Sequence, residues 1–355
     1  MVKPKKEHIP IKSPISYFGG KGRLSKQIVG LFPPHKIFVD VFGGGASLLL
    51  AKRPSEVEVF NDLHSGITTF FKVVAHAELS KELIRRLELT PYSKEIFESV
   101  RDSNQSQDAD HVEIALRTFI KHRQSRNGEG ISWGFGVTNS VAGVAEKVST
   151  YNRAIARIKE VSARLRRVQI ENRDWHRILE LYDTPDTLFA LDPPYLQSTR
   201  GSSGRYEFEM SHDDHIRLVE QLLTIKGFAI LMGYKNPIYA RLEEQGWKRV
   251  DFATKSMSSD TRADRVESVW LNPRSIKRIN VGAVKFIHSN ETGRQAGARR
   301  THVIRTKETE KLLRDAIESL RSTSQRVTQT AVAAISGVSR PQISRRYSYL
   351  FKNDK

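Results

Sequence analysis

The sequence contains no cysteine. This absence excludes disulfide bonds, cysteine-ligated zinc and any thiolate nucleophile. Long apolar runs are missing too, because the longest mostly apolar stretch, residues 41–51, contains three glycines and is shorter than the roughly 18 to 20 residues that cross a membrane. The first 14 residues carry three prolines and no apolar core, which argues against a secretion signal. We therefore expect a protein of the reducing cytosol without a membrane partner.

Acidic residues are few relative to basic ones, with 40 against 58 and a net charge of +18. Such an excess makes nucleic acid the leading class of partner. The excess is uneven, because residues 274–355 contain 18 basic and only six acidic residues. A chain of 355 residues is long enough for about two domains. We predict a main domain over residues 12–273, a basic linker over 274–305 and a helical tail over 306–355.

Short β-rich segments alternate with helical patterns in the main domain, which predicts an α/β fold with a mostly parallel sheet covered on both faces. A mainly helical stretch, residues 75–168, is interpreted as an insertion that serves target recognition, and a helical cap without that role is the alternative. The predicted strands are residues 36–42, 56–60, 187–191, 228–232, 247–252 and 268–271.

Unusual residues follow three of these strands: a glycine triplet at 43–45, then Asp62, then Asp192-Pro193-Pro194-Tyr195. Because ligands of open parallel sheets bind beyond the carboxyl ends of the strands, we expect all three to face one cleft. Glycines allow backbone to approach a ligand closely, and an acid after the second strand suits ribose hydroxyls, so a nucleoside-bearing cofactor is predicted. Taken alone, the glycines would fit a tight turn and Asp62 a helix N-cap.

The tetrapeptide Asp192-Pro193-Pro194-Tyr195 has the chemistry to hold a planar group that carries an amino nitrogen. Its prolines stiffen the turn, so the Asp192 carboxylate and the Pro193 carbonyl can accept both hydrogens of an exocyclic amine and expose its lone pair. The Tyr195 ring would stack on the base, which must first leave the duplex. The alternative is a strand that ends at two prolines, with an aspartate as a cap.

Four blocks in this order resemble the Dam-type DNA adenine-N6 methyltransferases: Tyr17-Phe18-Gly19-Gly20-Lys21, residues 40–47, Asn61-Asp62 and the tetrapeptide. The resemblance covers residues 12–273. It implies a Rossmann-like methyltransferase sheet, mostly parallel with one antiparallel strand, in a bacterial or phage-encoded enzyme that needs no metal. Ala46 departs from the family, which usually has glycine there, so the turn is expected to be slightly altered but to survive.

The resemblance also implies the roles of individual residues. The cofactor is S-adenosylmethionine, and the aspartate that opens the tetrapeptide is the adenine form of the motif. The implied catalytic residues are Asp192, Pro193, Pro194 and Tyr195. The implied cofactor contacts are Tyr17, Lys21, Asp40, Phe42, Gly43, Gly44, Gly45, Asp62 and Asp192.

DNA contacts in the family come from the region between the second-strand acid and the tetrapeptide. A basic segment there, residues 121–128, leads to Trp133 and Phe135. Arginine reaches phosphates or guanine edges, and asparagine pairs with adenine. The alternative is a solvated loop with both aromatic rings packed inward. The predicted DNA contacts of this segment are Arg123, Arg126 and Asn127.

Two further segments allow a functional and a structural interpretation. Residues 196–210 follow the tetrapeptide and are expected either to close over a flipped base or to have no function. Residues 211–215 include two histidines and two aspartates. Ser211 as a helix N-cap, with acids in the first turn, explains this segment without a metal.

Residues 327–349 resemble a helix-turn-helix. Ala333 and Gly337 suit a tight turn, and Ser339 with Gln342 suits a capping box. A plain helical pair with a basic solvated face is the alternative to DNA binding. The predicted DNA contacts of the second helix are Gln342, Arg345 and Arg346. The preceding helix, residues 307–320, is expected to support the tail or mediate dimerisation and to bury Leu312, Leu313, Ala316, Ile317 and Leu320.

Three functions are compatible with these observations: a DNA adenine-N6 methyltransferase, an RNA adenine-N6 methyltransferase, and a DNA-binding regulator with an inactive methyltransferase fold. The motif residues are intact, which argues against the regulator. We therefore predict methylation, site-specific or not, of a flipped adenine in double-stranded DNA, with a monomer favoured.

Overall fold

A computed structural model describes residues 9–102, 109–139, 143–199, 207–255, 264–279, 312–322, 327–336, 338 and 343. The chain divides into two compact units, Met1–Ala283 and Val284–Lys355. No helix in the described ranges is long and apolar enough to span a membrane.

The first unit contains a seven-stranded sheet. Its strands are β1 Ile37–Asp40, β2 Val57–Asn61, β3 Gln169–Glu171, β4 Thr187–Leu191, β5 Phe228–Gly233, β6 Lys248–Lys255 and β7 Asp264–Leu271. Their order is β3-β2-β1-β4-β5-β7-β6. All neighbours are parallel except that β7 runs antiparallel to both β5 and β6. The predicted Rossmann-like sheet, mostly parallel with one antiparallel strand, is confirmed.

Helices connect these strands. They are α1 Ser25–Val29, α2 Ser47–Ala51, α3 Ser65–Ala75, α4 Ala77–Glu88, α5 Lys94–Asp102, α6 His111–Gln124, α7 Glu146–Leu165, α8 Trp175–Tyr182, α9 His212–Leu222, α10 Pro237–Glu244 and α11 Pro273–Arg278. Four of them, α4 to α7, lie in the stretch interpreted as an insertion. Helix α11 spans the predicted domain border at residue 273, and its Ser275 is fully buried.

The boundaries of several strands differ from those predicted. β1 ends at Asp40, so residues 41 and 42 already belong to the turn. β3 was missed because it is only three residues long and no residue of it is buried. β6 and β7 extend beyond the predicted ranges, as far as Lys255 and back to Asp264. The periodicity of a strand weakens where it leaves the core, which explains these errors at the ends.

The central strands create the site by their order. β4 and β5 are buried along their whole length, as expected for a sheet with helices on both faces. The chain adds β2 and β3 on one side of β1, and β4 and β5 on the other. The order therefore reverses between β1 and β4, and the crevice at their carboxyl ends is where such sheets bind ligands.

A buried ion cluster attaches α7 to the sheet. Glu58 of β2 accepts hydrogen bonds from Lys52 Nζ at 2.6 Å and from Arg164 Nη2 at 2.8 Å. Burial alone would raise the pKa of Glu58, but the two cations outweigh it and the pKa lies below its ordinary value. Burial lowers the pKa of Lys52 to about 8. The cluster fixes the inserted helices to β2, whose carboxyl end carries Asp62.

The second unit has its own apolar cluster. It contains α12 (residues 312–322) and α13 Gln329–Ser336. Leu312 is 52% exposed, so its predicted burial is wrong, because the apolar face of α12 begins one residue later. The buried members of the cluster are Leu313, Ala316, Ile317, Leu320, Val332 and Ile343. The predicted DNA contacts Gln342, Arg345 and Arg346 lie outside the described residues, as do Gly337 and Ser339.

Candidate active site

The glycine turn after β1 is closed by hydrogen bonds to the end of β2. Gly43 N–H donates to the Asn61 carbonyl and Gly44 N–H donates to Asp62 Oδ2, both at 2.7 Å. A Cβ at Gly43 would lie 2.1 Å from the Phe60 ring, so only glycine fits there. Ala46 has φ 55°, a left-handed conformation that favours glycine, which explains the residue usual in the family. The turn survives with alanine, as expected.

Tyr17 and Lys21 lie against this turn from the N-terminal segment. A Cβ on Gly44, whose φ is +48°, would come within 2.8 Å of the Tyr17 ring, so the ring packs directly on glycine backbone. Lys21 is 5% exposed, and its Nζ donates to the Gly19 carbonyl at 2.8 Å. The predicted cofactor residues of the first and second blocks are therefore in contact.

The Lys21 ammonium lies between two carboxylates. Its Nζ is 2.8 Å from Asp192 Oδ1 and 4.0 Å from Glu267 Oε2. Burial alone would lower the pKa of Lys21, but the charges of Asp192 and Glu267 outweigh it and raise the pKa. Burial raises the pKa of Asp192, and the Lys21 charge offsets part of the rise. The first residue of the tetrapeptide is thus held by a cation.

Tyr195 is only 5% exposed. Lys21 Nζ lies 4.8 Å from its ring centroid, and the Tyr234 ring packs edge-on at 4.7 Å. Its hydroxyl donates to Glu267 Oε2 at 2.7 Å. The ring therefore has little free face, and the predicted stack on a flipped base is not pre-formed.

Asp40 is the last residue of β1, Asp62 directly follows β2, and both are buried. Asp62 accepts from the Gly44 and His64 amides at 2.7 and 2.8 Å. Asp40 Oδ2 has no hydrogen-bond partner among the residues described here. Burial, and next the charge of Asp192, raises the pKa of Asp40 well above its ordinary value. An unsatisfied buried carboxylate oxygen suits a positively charged ligand group.

Two cavities share Tyr17, Phe42 and Asp192. The smaller brings together the glycine turn, Lys21 and Asp40, and the larger is lined by Asp62 and Pro194. S-adenosylmethionine carries an ammonium, a sulfonium and a ribose diol, and these groups match buried carboxylates beside glycine backbone. The residues present fit this cofactor.

Several residues of the larger cavity and its surroundings were not predicted from the sequence. Arg173, Asp174 and Trp175 line it after β3, and the short β3 was itself missed. Phe208 and Met210 also line it; they end the segment 196–210, which was expected either to close over a flipped base or to have no function, and the neighbouring Glu207 accepts from Lys121 Nζ at 2.8 Å. Glu267 was missed because the predicted last strand began one residue later. Little signal was available there, because Val266 is the only apolar residue among residues 264–268.

The predicted DNA contacts of residues 121–128 separate into two kinds. Arg126 and Asn127 are exposed. Arg123 is half-buried and donates to Ser16 Oγ at 2.6 Å and to the Thr150 carbonyl at 3.0 Å. Phe135 is 69% exposed, so the alternative in which both aromatic rings pack inward is wrong for this ring.

Ser211 begins α9 as predicted. Its hydroxyl accepts from the Asp214 amide, and the Asp214 carboxylate accepts from the Ser211 amide, which forms a capping box. His215 is fully buried and hydrogen-bonds through Nδ1 to the Tyr239 hydroxyl at 2.8 Å. Helix capping and packing therefore account for these residues.

Fold and site define an α/β protein with two cavities at the carboxyl ends of its parallel strands. Residues 17–264 match the model of the D12 class N6 adenine-specific DNA methyltransferases, and the chain belongs to this family. Modification methylase LlaI of Lactococcus lactis subsp. lactis is 27% identical over 208 residues, which cover 56% of this chain and 32% of that protein. Modification methylase StsI of Streptococcus sanguinis is 41% identical over 63 residues, which cover 18% of this chain and 10% of that protein. The matches span at most about a third of these relatives.

Proposed function

We propose that this chain transfers a methyl group from S-adenosylmethionine to the N6 amino group of an adenine flipped out of DNA. The position of Asp192 carries the proposal. Its carboxylate follows β4, lines both cavities and lies 2.8 Å from Lys21. An acid presented in a crevice at the carboxyl ends of parallel strands suits a planar amine that approaches a cofactor. Membership of the adenine-specific family supports the same conclusion.

S-adenosylmethionine, when bound, supplies an electrophilic methyl group. In this proposal the Asp192 carboxylate and the Pro193 carbonyl accept hydrogen bonds from the two N–H groups of the adenine amine, so the nitrogen lone pair is free to react. The same carboxylate stabilises the positive charge that develops on the nitrogen. Lys21 keeps Asp192 in place, and catalysis is mainly positioning. The residues that would hold the cofactor are Tyr17, Lys21, Asp40, Phe42, Gly43, Gly44, Gly45, Asp62 and Asp192.

Exposed residues after α6 are the proposed DNA surface of this unit. Arg126 and Asn127 are exposed, and Phe135 presents an apolar ring to solvent. Burial, followed by the charges of Arg157 and Arg153, lowers the pKa of Arg123 to about 10. Within the described ranges, Arg123, Arg153 and Arg157 form no ion pair with a carboxylate. A DNA phosphate would relieve their mutual repulsion.

Methyl transfer from labelled S-adenosylmethionine, followed by nucleoside analysis, tests the proposal. We expect N6-methyladenine in duplex DNA and a loss of about 10²- to 10³-fold in kcat for Asp192→Ala. Asp186 is an exposed aspartate that pairs with Lys36, so Asp186→Asn is the matched control and should remain active. N4-methylcytosine as the product, methylation of RNA alone, or full activity of the D192A variant would contradict the proposal.

The two relatives are modification methylases, so we extend the proposal to modification of specific DNA sites. Sequencing the methylated positions in DNA exposed to the purified protein would identify the target. Methylation without any sequence preference would contradict this extension and leave the methyl transfer itself intact.

A further inference from the structure

Glu267 lies at the same edge of the sheet as the tetrapeptide. Its neighbour Ser268 pairs with Gly233, the last residue of β5, and β7 runs antiparallel to β5. Glu267 therefore extends one residue past the carboxyl end of β5. Its side chain is 14% exposed, so it is not an ordinary solvated glutamate.

In the described part of the chain, this carboxylate makes two polar contacts, both to residues of the candidate site. Glu267 Oε2 accepts a hydrogen bond from the Tyr195 hydroxyl at 2.7 Å and lies 4.0 Å from Lys21 Nζ. The same Lys21 Nζ lies 2.8 Å from Asp192 and 4.8 Å from the Tyr195 ring centroid. One ammonium thus faces two carboxylates and an aromatic ring.

Lys21 contacts both Asp192 and Tyr195, the first and last residues of the tetrapeptide, and Glu267 contacts both Lys21 and Tyr195. We propose that Glu267 is a positioning residue for methyl transfer, which fixes the Tyr195 ring through its hydroxyl and shares Lys21 with Asp192. The inference rests on the proposed function. Glu267 touches neither base nor cofactor in this role; it acts through Tyr195 and Lys21.

In this role Glu267 acts through both geometry and charge. A hydrogen bond to a carboxylate is stronger than one between neutral groups, so it restricts the tilt of the Tyr195 ring effectively. With Glu267 as a second carboxylate beside Lys21, the group of Lys21, Asp192 and Glu267 carries a net negative charge. This charge complements the positive charge that develops on a methylated amine. Both effects favour the transition state more than the binding of cofactor or DNA, so they act on kcat.

Glu267→Gln tests the role, because it keeps the size of the side chain and removes its charge. We expect kcat for methyl transfer to fall about tenfold, in line with one hydrogen bond to a charged group, with the Kd values for S-adenosylmethionine and DNA changed less than about threefold. Tyr195→Phe removes the hydroxyl and keeps the ring, and should have a similar effect. Because the two residues act as one unit, kcat of the double variant should fall about tenfold. Two independent sites would instead lower kcat about a hundredfold.

Glu243→Gln is the matched control. Glu243 also accepts from an aromatic donor and a cation, Trp270 Nε1 at 3.0 Å and Arg249 Nη1 at 2.7 Å, and lines neither cavity. We expect this variant to keep the kcat of the unmodified chain. An equal loss in E243Q and E267Q would indicate a purely structural role and overturn the inference.

Additive losses in the double variant, or an unchanged kcat in E267Q, would also overturn it. If E267Q does not fold, as judged by thermal melting, Glu267→Asp decides: it keeps the charge and withdraws the carboxylate from the Tyr195 hydroxyl, so a lower kcat at unchanged Kd for the cofactor supports the inference, and full activity refutes it. An unmodified chain that methylates no adenine would refute the proposed function, and this inference with it. An active unmodified chain with an unaffected E267Q variant would refute the role of Glu267 alone.

Discussion

At the scale of single residues, Asp40 at the end of β1 and Asp62 directly after β2 are buried to similar extents but differ in their hydrogen bonds. Two backbone amides donate to Asp62, whereas Asp40 Oδ2 has no partner in the described part of the chain. A buried carboxylate oxygen without a partner costs stability when the group ionises, and a positively charged ligand would recover that cost. Asp40 therefore opposes folding at neutral pH, and in the proposed function it favours the binding of a cationic cofactor.

Replacing Asp40 with Asn separates these two effects. The folded-state pKa of Asp40 is raised, so its unfavourable contribution is absent below the unfolded pKa of about 4 and grows as pH rises above it. At pH 8 we expect Asp40→Asn to increase the free energy of unfolding by about 1 kcal/mol and to weaken binding of S-adenosylmethionine about tenfold. Urea unfolding at pH 5 and pH 8, with calorimetric titration of the cofactor, measures both. A less stable variant with unchanged affinity would show that Asp40 has neither role.

Gly43 is a second residue whose identity is dictated by its surroundings. Because a Cβ there would lie 2.1 Å from the buried Phe60 ring, we expect Gly43→Ala to destabilise the protein by about 2 kcal/mol through overpacking. Gly22→Ala is the matched control, since its Cβ would approach nothing closer than Ser47 Oγ at 3.9 Å. Urea unfolding of both variants measures the difference. Equal stabilities would mean that the turn shifts without strain.

At the scale of elements, sequence predicted the central strands better than the peripheral ones. The bounds of β4 match the prediction, because a fully buried run that ends at two prolines has a clear signal at both ends. β3 is short and none of its residues is buried, so the cavity residues Asp174 and Trp175 that follow it were missed. Lys21 was predicted to bind the cofactor, but its contact with Asp192 could not be predicted, because it joins side chains 171 positions apart. Pairing across such a separation depends on tertiary packing.

The ion cluster between β2, α2 and α7 provides a test at this scale. Glu58→Gln leaves Lys52 and Arg164 as buried cations without a counter-charge, so we expect the free energy of unfolding to fall by about 3 kcal/mol at pH 7. The pKa of Glu58 is lowered in the folded state, so its contribution is present above the ordinary pKa and is lost as pH falls through the folded value. When unfolding is measured from pH 7 down to pH 3, the difference in free energy of unfolding between the unmodified chain and the variant should therefore shrink. Glu78→Gln, in an exposed pair with Lys81, should leave stability unchanged; an equal loss in both variants would contradict the argument.

At the scale of the whole molecule, charge and proposed chemistry are divided between the two units. All residues that line the two cavities belong to the first unit, whereas residues 284–355 contain 15 basic and six acidic residues. Helix α11 belongs with the first unit, because its Asn272 cap donates to the Gly227 carbonyl at 3.0 Å and Ser275 is buried. A cut at residue 273 would remove this helix, so the border for a truncation lies at Ala283.

Truncation after Ala283 tests whether the second unit contributes to DNA binding. Each phosphate contact that is lost lowers the slope of log K against log salt by about 0.9, so two or more lost contacts should lower it by about 2 and weaken DNA binding at least tenfold near 0.15 M salt. Methyl transfer at saturating DNA should remain close to that of the full chain, since the proposed site is intact. In the full chain, Arg345→Ala with Arg346→Ala should reproduce part of the loss without the truncation. Titration of labelled duplex DNA at several salt concentrations measures both variants, and unchanged affinity and slope would refute a DNA-binding role for the tail.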